Sequence, residues 1–358
     1  MIKAAIFNSH LSTWGGGERS TYSMASALVH LGFEVEVVSF EENLPTSSEI
    51  ERFFGPGYSG FSLRSLADGT VLQDQELNRY LADVVLFINH SAGSAFVNPC
   101  PLGLYVVMFP FQDKGAFVHS YHHFLCISEY ARAYTHHRWG EGLSTHVVYP
   151  GVDPSPLPSL SRTTDILAIG RFNWSGHRKN QGALLDAFEE LLELLPKGWR
   201  LVLLGKLNRL GNNLSPFEEL QSRCAHLPVA LEVDVSEGRK RALLARASLF
   251  WHGTGVGKTE PAEAYQMEHF GLAVVEAMQA GVVPLCYYRG GPREIIEHGQ
   301  SGFLYRDLEE LKTLTLALVA REQLRNSMGA RAKERARRFT RGEFNRKLEA
   351  FVRSVVHT

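Results

Sequence analysis

The run Tyr149-Pro150-Gly151-Val152-Asp153-Pro154-Ser155-Pro156-Leu157-Pro158 sets the plan of the chain, because it can be neither helix nor strand. Each proline lacks a backbone N–H and locks its own φ, so no ladder of hydrogen bonds passes through it. The run reads as a linker between domains. A chain of 358 residues is long for one domain and suits two of roughly 150–200 residues each. Apolar residues make up 44% of it, enough for two cores. The expected division is a first domain over residues 1–150, joined by a last helix at 341–358, and a second domain over 151–340.

Each half alternates short apolar runs with helical periodicity, the pattern of parallel α/β units. Ile2–Phe7 reads as a buried strand, Asn8–Ser20 as a glycine-rich loop, Thr21–Leu31 as a helix ended by Gly32, and Glu34–Phe40 as the next strand. That is a β-α-β unit with a candidate phosphate loop at its first turn. Residues 41–80 give no clear pattern beyond the loop chemistry of Gly55–Gly60. Further strands are expected at Ala82–Ile88, Leu104–Phe109, Phe124–Ile127 and His146–Tyr149, with Ser128 capping the helix after the third. Ligands of such sheets lie outside the carboxyl ends of the strands. Asn89, His90 and the 110–115 loop are therefore candidates to face an acceptor. An NAD-dependent dehydrogenase is one alternative: Gly15-x-Gly17-x-x-Ser20 approximates the dinucleotide fingerprint, and Glu41 could serve as the ribose acid. The loop is longer than that fingerprint has.

In the second half, Asp165–Ile169 reads as a strand ending at Gly170-Arg171, and a helix over 181–195 carries Leu184, Leu185, Phe188, Leu191, Leu192 and Leu195 on one face. Strands at Arg200–Leu204, 229–233, Ser248–Trp251 and Val282–Cys286 alternate with helices at 216–226 and 237–247. Helices at 307–319, 321–338 and 341–356 close the chain. His252-Gly-Thr-Gly-Val-Gly257-Lys258-Thr259 nearly spells a nucleotide-triphosphate loop. A glycine would be needed where His252 stands, and Pro261 falls where the loop's helix should run. The segment reads instead as a flexible loop closing over a ligand.

Glu268-His-Phe-Gly-Leu-Ala-Val-Val-Glu276 reads as a loop turning into a helix. A helix N-terminus presents unpaired N–H groups and partial positive charge, which suits a phosphate. A carboxylate beside it repels phosphate and is suited to accept hydrogen bonds from hydroxyls. Phosphates flanked by two sets of hydroxyls describe a nucleotide sugar. Glu268 lies in the approach to the helix and Glu276 about one and a half turns inside it, so each can grip a different part of one ligand.

Several motifs now point one way. They are Glu268 and Glu276 with Phe270-Gly271 and Glu276-Ala-Met between and after them, Gly15-Gly16-Gly17-Glu18-Arg19, Gly170-Arg171 with Arg178-Lys179-Asn180, Pro150-Gly-Val-Asp153, Gly290-Gly291-x-x-Glu294 and Gly299-x-x-Gly302-Phe-Leu. Together they resemble the signature of the GT4-type retaining glycosyltransferases of the GT-B superfamily. The resemblance implies two doubly wound Rossmann-like α/β domains facing across a cleft, the first on the acceptor side and the second binding the nucleotide sugar. It implies metal-independent transfer of a hexosyl group from a UDP-sugar or GDP-mannose to a hydroxyl of a glycan, lipid-linked or small-molecule acceptor, with no cofactor beyond the donor. Arg171 and Lys179 would neutralise the diphosphate, Glu268 would hold sugar hydroxyls and Glu276 the ribose. Gly16, Gly17 and Gly170 would admit the ligands, and the N–H groups of Phe270, Gly271 and Leu272 would cap the phosphates. Relatives often carry a histidine after the strand that here ends Val107-Met108-Phe109-Pro110. Met108 takes that place, with His90 as the substitute. A sugar-nucleotide epimerase of the same fold is the second alternative.

Composition narrows the partners. Thirty-seven basic residues against 38 acidic give a net charge of −1, so nothing suggests nucleic acid. Cys100, Cys126, Cys224 and Cys286 lack C-x-x-C spacing and read as buried thiols of a reducing compartment. With no membrane-length apolar run and no leader before the first strand, a cytoplasmic protein is expected, with the inner face of a membrane as its other station. His119, His122 and His123, and His136 and His137, have no acidic residue or cysteine spaced to complete a site, so no metal is expected. Tyr130–Trp139 reads as a solvated basic and aromatic helix face, with membrane-surface contact as the alternative.

Overall fold

The computed structural model describes residues 2–67, 73–153, 157–174, 177–209 and 213–356. The chain forms two compact units, Met1–Asp153 with Phe339–Thr358, and Pro154–Arg338.

The first unit runs β1 (Lys3–Phe7), α1 (Gly16–His30), β2 (Glu34–Ser39), α2 (Ser47–Phe54), β3 (Ser62–Ser65), α3 (Gln73–Tyr80), β4 (Leu86–Asn89), β5 (Leu102–Val107), β6 (His123–Cys126), α4 (Glu129–Trp139) and β7 (Thr145–Val147). Its seven parallel strands lie in the order β3-β2-β1-β4-β5-β6-β7. Helices cover both faces, which is why the inner strands are apolar on both sides. Ala4 and Ile6 join Tyr22, Ala25 and Leu28 of α1 in one core. Ala5 and Phe7 join Phe87, Phe124 and Trp139 in the other.

The second unit runs β8 (Asp165–Ile169), α5 (Gln181–Leu191), β9 (Arg200–Gly205), α6 (Leu214–Cys224), β10 (Val229–Val233), α7 (Glu237–Arg246), β11 (Leu249–His252), α8 (Leu272–Gln279), β12 (Val283–Tyr287), α9 (Pro292–Ile295), β13 (Phe303–Tyr305), α10 (Leu308–Ala320) and α11 (Glu322–Ala336). Its six parallel strands lie in the order β10-β9-β8-β11-β12-β13. The last helix, α12 (Arg341–Val356), returns to the first unit, where Phe344, Leu348 and Val352, four residues apart, enter the same core as α1.

Both sheets reverse their strand order once, between β1 and β4 and between β8 and β11. At such a point the two connections leave in opposite directions and open a crevice at the carboxyl ends of the strands.

Some expected boundaries move. α1 begins at Gly16 rather than Thr21, because the Glu18 carboxylate accepts from the Gly15 N–H at 2.7 Å and secures the first turn. Gly16 and Gly17 therefore lie inside the helix. Leu81–Asp83 is a 3-10 turn, and β4 starts at Leu86. The helix expected over 181–195 stops at Leu191. Residues 41–80 hold α2, β3 and α3, which the apolar pattern does not reveal.

Candidate active site

The carboxyl ends of β8 and β11 bring together residues far apart in the chain. β8 leads into Gly170-Arg171, and Gln181, the first residue of α5, donates to the carbonyls of both at 2.9 and 3.0 Å. Just ahead of α5, Asn180 adopts a left-handed φ of 53° and donates to the Gly253 carbonyl at 2.8 Å. That anchors the Lys179 backbone. The Lys179 stem crosses Gly170 so closely that a Cβ there would lie 2.7 Å from Lys179 Cγ. Glycine is required at that position for the lysine to pass.

Lys179 Nζ reaches Glu268 Oε2 at 2.7 Å, with the two side chains 17% and 13% exposed. His252, the last residue of β11, places Nε2 at 2.9 Å from the same oxygen, and Thr254 Oγ1 stands at 3.4 Å. Burial by itself pushes the Glu268 carboxyl up. The Lys179 ammonium, then the His252 hydrogen bond and the charges of His252 and His177, outweigh it and hold the group well below the usual carboxylate range. Glu268 is therefore an anion at neutral pH, able to accept and unable to donate.

The backbone around Glu268 is fixed separately. His177 Nε2 donates to the Met267 carbonyl at 2.7 Å and His269 Nε2 to the Tyr265 carbonyl at 3.1 Å, and the two rings stack 5.0 Å apart in near-parallel planes. Burial, then the nearby charges, push His177 down to about 4 and His269 to about 3, so both are neutral. On the other side Gly291 donates to the Glu268 carbonyl at 2.7 Å. A Cβ on Gly291 would lie 2.4 Å from Phe270 Cα, and one on Gly290 2.3 Å from the Glu268 carbonyl oxygen.

Gly271 then turns the chain with φ 117°, and α8 starts with no side-chain cap. No described side chain receives the backbone N–H groups of its first turn, the arrangement at a helix start that suits an anion. Phe270 is buried, Leu272 is the first helical residue, and Glu276 pairs with Lys240 of α7 at 3.1 Å. Arg171 is exposed at the end of β8. In the segment from Gly253 to Gln266, Lys258 pairs with Glu263 at 2.9 Å, and Tyr287 donates to the Lys258 carbonyl at 3.4 Å. Among the described residues, no cluster of three His, Cys, Asp or Glu is arranged to hold a metal.

The expected residues therefore divide. Gly170, Lys179, Glu268, Phe270, Gly271, Leu272 and Glu276 converge on one region of the second unit, with Arg171 at its strand end. Gly16 and Gly17 belong to the first unit, where a Cβ on Gly17 would meet nothing within 4 Å, leaving that backbone approachable. Asn89 and His90 end β4 but do not face outward. Asn89 is fully buried and donates to Tyr121 and Ser94, while His90, 1% exposed, sits with Nδ1 2.6 Å from Thr21 Oγ1. Burial pushes His90 down to about 4. Both lock the end of β4 to its surroundings instead of greeting an acceptor. Glu41 is likewise engaged: it accepts from the N–H groups of Leu11 and Ser12 at 2.9 and 3.1 Å, so the acid a dinucleotide ribose would need holds the loop after β1 instead. Sequence reasoning passed over His252, Thr254, His177, His269 and Gln181. The one available signal was that His252 closes a buried strand at the reversal point.

With this geometry in place, comparison with known proteins decides the family. The model of glycosyl transferases group 1 matches residues 155–335, just over half of the chain. The chain belongs to this family. A second model, Glycosyltransferase Family 4, matches residues 14–156 of this group 1 glycosyl transferase. A curated GDP-Man:Man(3)GlcNAc(2)-PP-Dol alpha-1,2-mannosyltransferase of Dictyostelium discoideum is 26% identical over 234 residues, covering 60% of this chain and 43% of that protein. The chain thus spans less than half the length of the curated mannosyltransferases it matches. Among solved structures, Anabaena HepE in complex with UDP superposes with a TM-score of 0.77 at 16% identity, covering 99% of this chain and 100% of that one. Sucrose-phosphate synthase of Thermosynechococcus elongatus gives 0.76 at 14% identity, covering both chains fully. The fold is that of the GT-B glycosyltransferases. Neither family model supports the dehydrogenase or the epimerase. No described helix is long and apolar enough to cross a membrane.

Proposed function

We propose that the protein transfers a hexosyl group from a nucleoside-diphosphate sugar to a hydroxyl, with retention at the anomeric carbon. The reading rests above all on the Lys179–Glu268 pair beside the uncapped start of α8. Lys179 and Arg171 stabilise the diphosphate, and the N–H groups of Phe270, Gly271 and Leu272 receive its oxygens. Glu268 accepts from sugar hydroxyls and Glu276 from the ribose. Gly16 and Gly17 leave room for the ligands to approach. The bond between the anomeric carbon and the phosphate oxygen breaks with its electron pair on the phosphate. The acceptor oxygen then bonds to that carbon on the same face, and its proton passes to the departing diphosphate. The leaving group gains negative charge as this happens, and fixed cations in a partly dry site stabilise that charge most. Those cations are side chains, so the donor is turned over without a metal.

Uracil and guanine are the donor bases with support: HepE has been solved with UDP and with UDP-glucose, and the mannosyltransferases among the curated relatives are named for GDP-mannose. The mannosyltransferase names favour a lipid-linked glycan acceptor. The test is a thermal-shift panel of UDP, GDP, ADP, dTDP and NAD, followed by transfer assays with the sugars of whichever nucleotide stabilises the protein. Stabilisation by UDP or GDP, and turnover of the matching sugar nucleotide, are expected. Stabilisation by NAD alone would defeat the reading.

A further inference from the structure

The crowding at one oxygen of Glu268 poses a question. Three donors, from Lys179, His252 and Thr254, point at Oε2, while Oε1 has no partner among the described residues. Oε1 is then the atom left to accept from a ligand. Lys179 is fixed where its stem crosses Gly170, but its ammonium is the end of a flexible chain. Under the function proposed above, on which this inference rests, a diphosphate competes with Glu268 for that ammonium. When it wins, Glu268 loses its strongest partner while the carboxylate remains buried.

We propose that His252 is the positioning residue that keeps the Glu268 carboxylate in place and anionic once the donor diphosphate engages Lys179. The ring is 4% exposed and ends a central strand, with its carbonyl accepting from Tyr305 at 2.8 Å, so it moves little. A carboxylate cannot donate, so Nε2 carries a proton and donates it to Glu268. Nδ1 is buried and has no partner among the described residues. A buried polar atom without a partner is unfavourable and calls for an explanation. Here the ring is oriented by what Nε2 does for Glu268, and Nδ1 is left over. The His177–His269 stack secures the backbone on either side of Glu268 through the Met267 and Tyr265 carbonyls. Those two hydrogen bonds go to the backbone, so the carboxylate's own hydrogen bonds come from His252 and Thr254 whenever Lys179 is elsewhere.

The test compares H252L with H252Q, whose amide N–H reaches the place of Nε2–H. Binding of the free nucleoside diphosphate should weaken less than that of the sugar nucleotide in H252L, because the diphosphate only draws Lys179 away from Glu268 whereas the sugar also needs the carboxylate itself. In H252L the KM for the sugar nucleotide should rise and kcat fall, each by roughly tenfold or more, and H252Q should recover most of the loss. Equal losses for the free diphosphate and the sugar nucleotide, or a glutamine variant no better than leucine, would overturn the assignment. So would sugar-nucleotide kinetics in H252L that match wild type. A second measurement uses no substrate: 15N NMR of histidine-labelled wild-type protein should show His252 as the Nε2–H tautomer in both the wild type and K179M. An Nδ1–H tautomer in either sinks the inference. A wild-type protein that binds neither UDP nor GDP sinks the functional reading instead, and the NMR result separates the two failures.

Discussion

Lys179 Nζ and Glu268 Oε2 meet at 2.7 Å across 89 residues of chain, and neither side chain is more than 17% exposed. The pair belongs to the site and to the fold at once. Replacing Lys179 with methionine keeps the stem against Gly170 but removes the ammonium. The buried carboxylate keeps His252 and Thr254, so the stability cost should be about 1–3 kcal/mol, below that of a buried charge stripped of every donor. Catalysis should lose more, roughly 100-fold to 1,000-fold in kcat/KM, because the cation acts on charge that develops in the transition state. Urea unfolding and steady-state kinetics check both, and unchanged kinetics would take Lys179 out of the site.

Stability should fall on acidification well before most carboxylates titrate. His90 in the first unit and His177 and His269 in the second are neutral when folded, held at about 4, 4 and 3 against an ordinary 6.5. His90 faces the uncharged Asn8 and Thr21, whereas His177 and His269 face each other, Lys179, Glu268 and His252. The unfolded chain takes up these protons first. The histidine contribution is therefore complete above pH 6.5 and lost as pH falls through about 4. A histidine moved from 6.5 to about 4 withdraws on the order of 3 kcal/mol over that range. Glu268 acts lower: its folded value is depressed, so its contribution is present above about 4.5 and lost as pH falls further. Urea titrations from pH 7.5 to 4.5 should show a steep decline, shallower in H90N, whose carbonyl can still accept from Thr21. A flat wild-type profile would contradict the neutral histidines.

The fold was legible where burial repeats. Parallel strands covered on both faces stay apolar, so β1, β8, β11 and β12 show as short runs. α12 shows through Phe344, Leu348 and Val352 at helical spacing. The region from α2 to α3 was not legible because it is an edge: β3 is Ser62-Leu-Arg-Ser65, pairs only with β2 and buries little. α2 did carry a readable signal, the reciprocal cap of Thr46 and Glu49, which apolar periodicity ignores. At the site, Lys179 and Glu268 could be named from charge and motif. Their convergence with His252 depends on β8 and β11 becoming neighbours across some 80 residues of chain, which no local pattern encodes. Asn89 and His90 show the limit of the strand-end rule, which gives the edge of the sheet but not whether a side chain there faces solvent or a neighbour.

Gly291 should tolerate no side chain. A Cβ would stand 2.4 Å from Phe270 Cα and 2.7 Å from the His269 carbonyl oxygen, both backbone atoms that cannot swing aside. G291A must push the Glu268 loop away, costing about 1–3 kcal/mol as an overpacked contact and most of the transfer activity. G170A meets the near end of the Lys179 side chain, Cγ at 2.7 Å and Cβ at 2.8 Å, but no backbone atom. It should lose activity with a smaller change in unfolding midpoint. Equal stability losses in the two variants would mean the backbone contact at Gly291 relaxes freely.

Glu276 offers the sharpest test of how the ligand is divided. It lies within α8 and pairs with Lys240 at 3.1 Å, and Lys240 is also 3.1 Å from Glu237, so removing Glu276 leaves the lysine a partner. E276A should therefore fold normally. If Glu276 holds the ribose, E276A weakens the free nucleoside diphosphate and the sugar nucleotide alike, by roughly tenfold to 100-fold, since both carry the ribose. E268A should not weaken the free diphosphate, for which Glu268 otherwise competes at Lys179, and should penalise only the sugar nucleotide. Isothermal titration of both ligands against both variants gives four affinities. The ratio of the two ligands' affinities should stay constant in E276A and collapse in E268A. The opposite pattern would exchange the two glutamates' roles, and a constant ratio in both would mean that neither one reads the sugar.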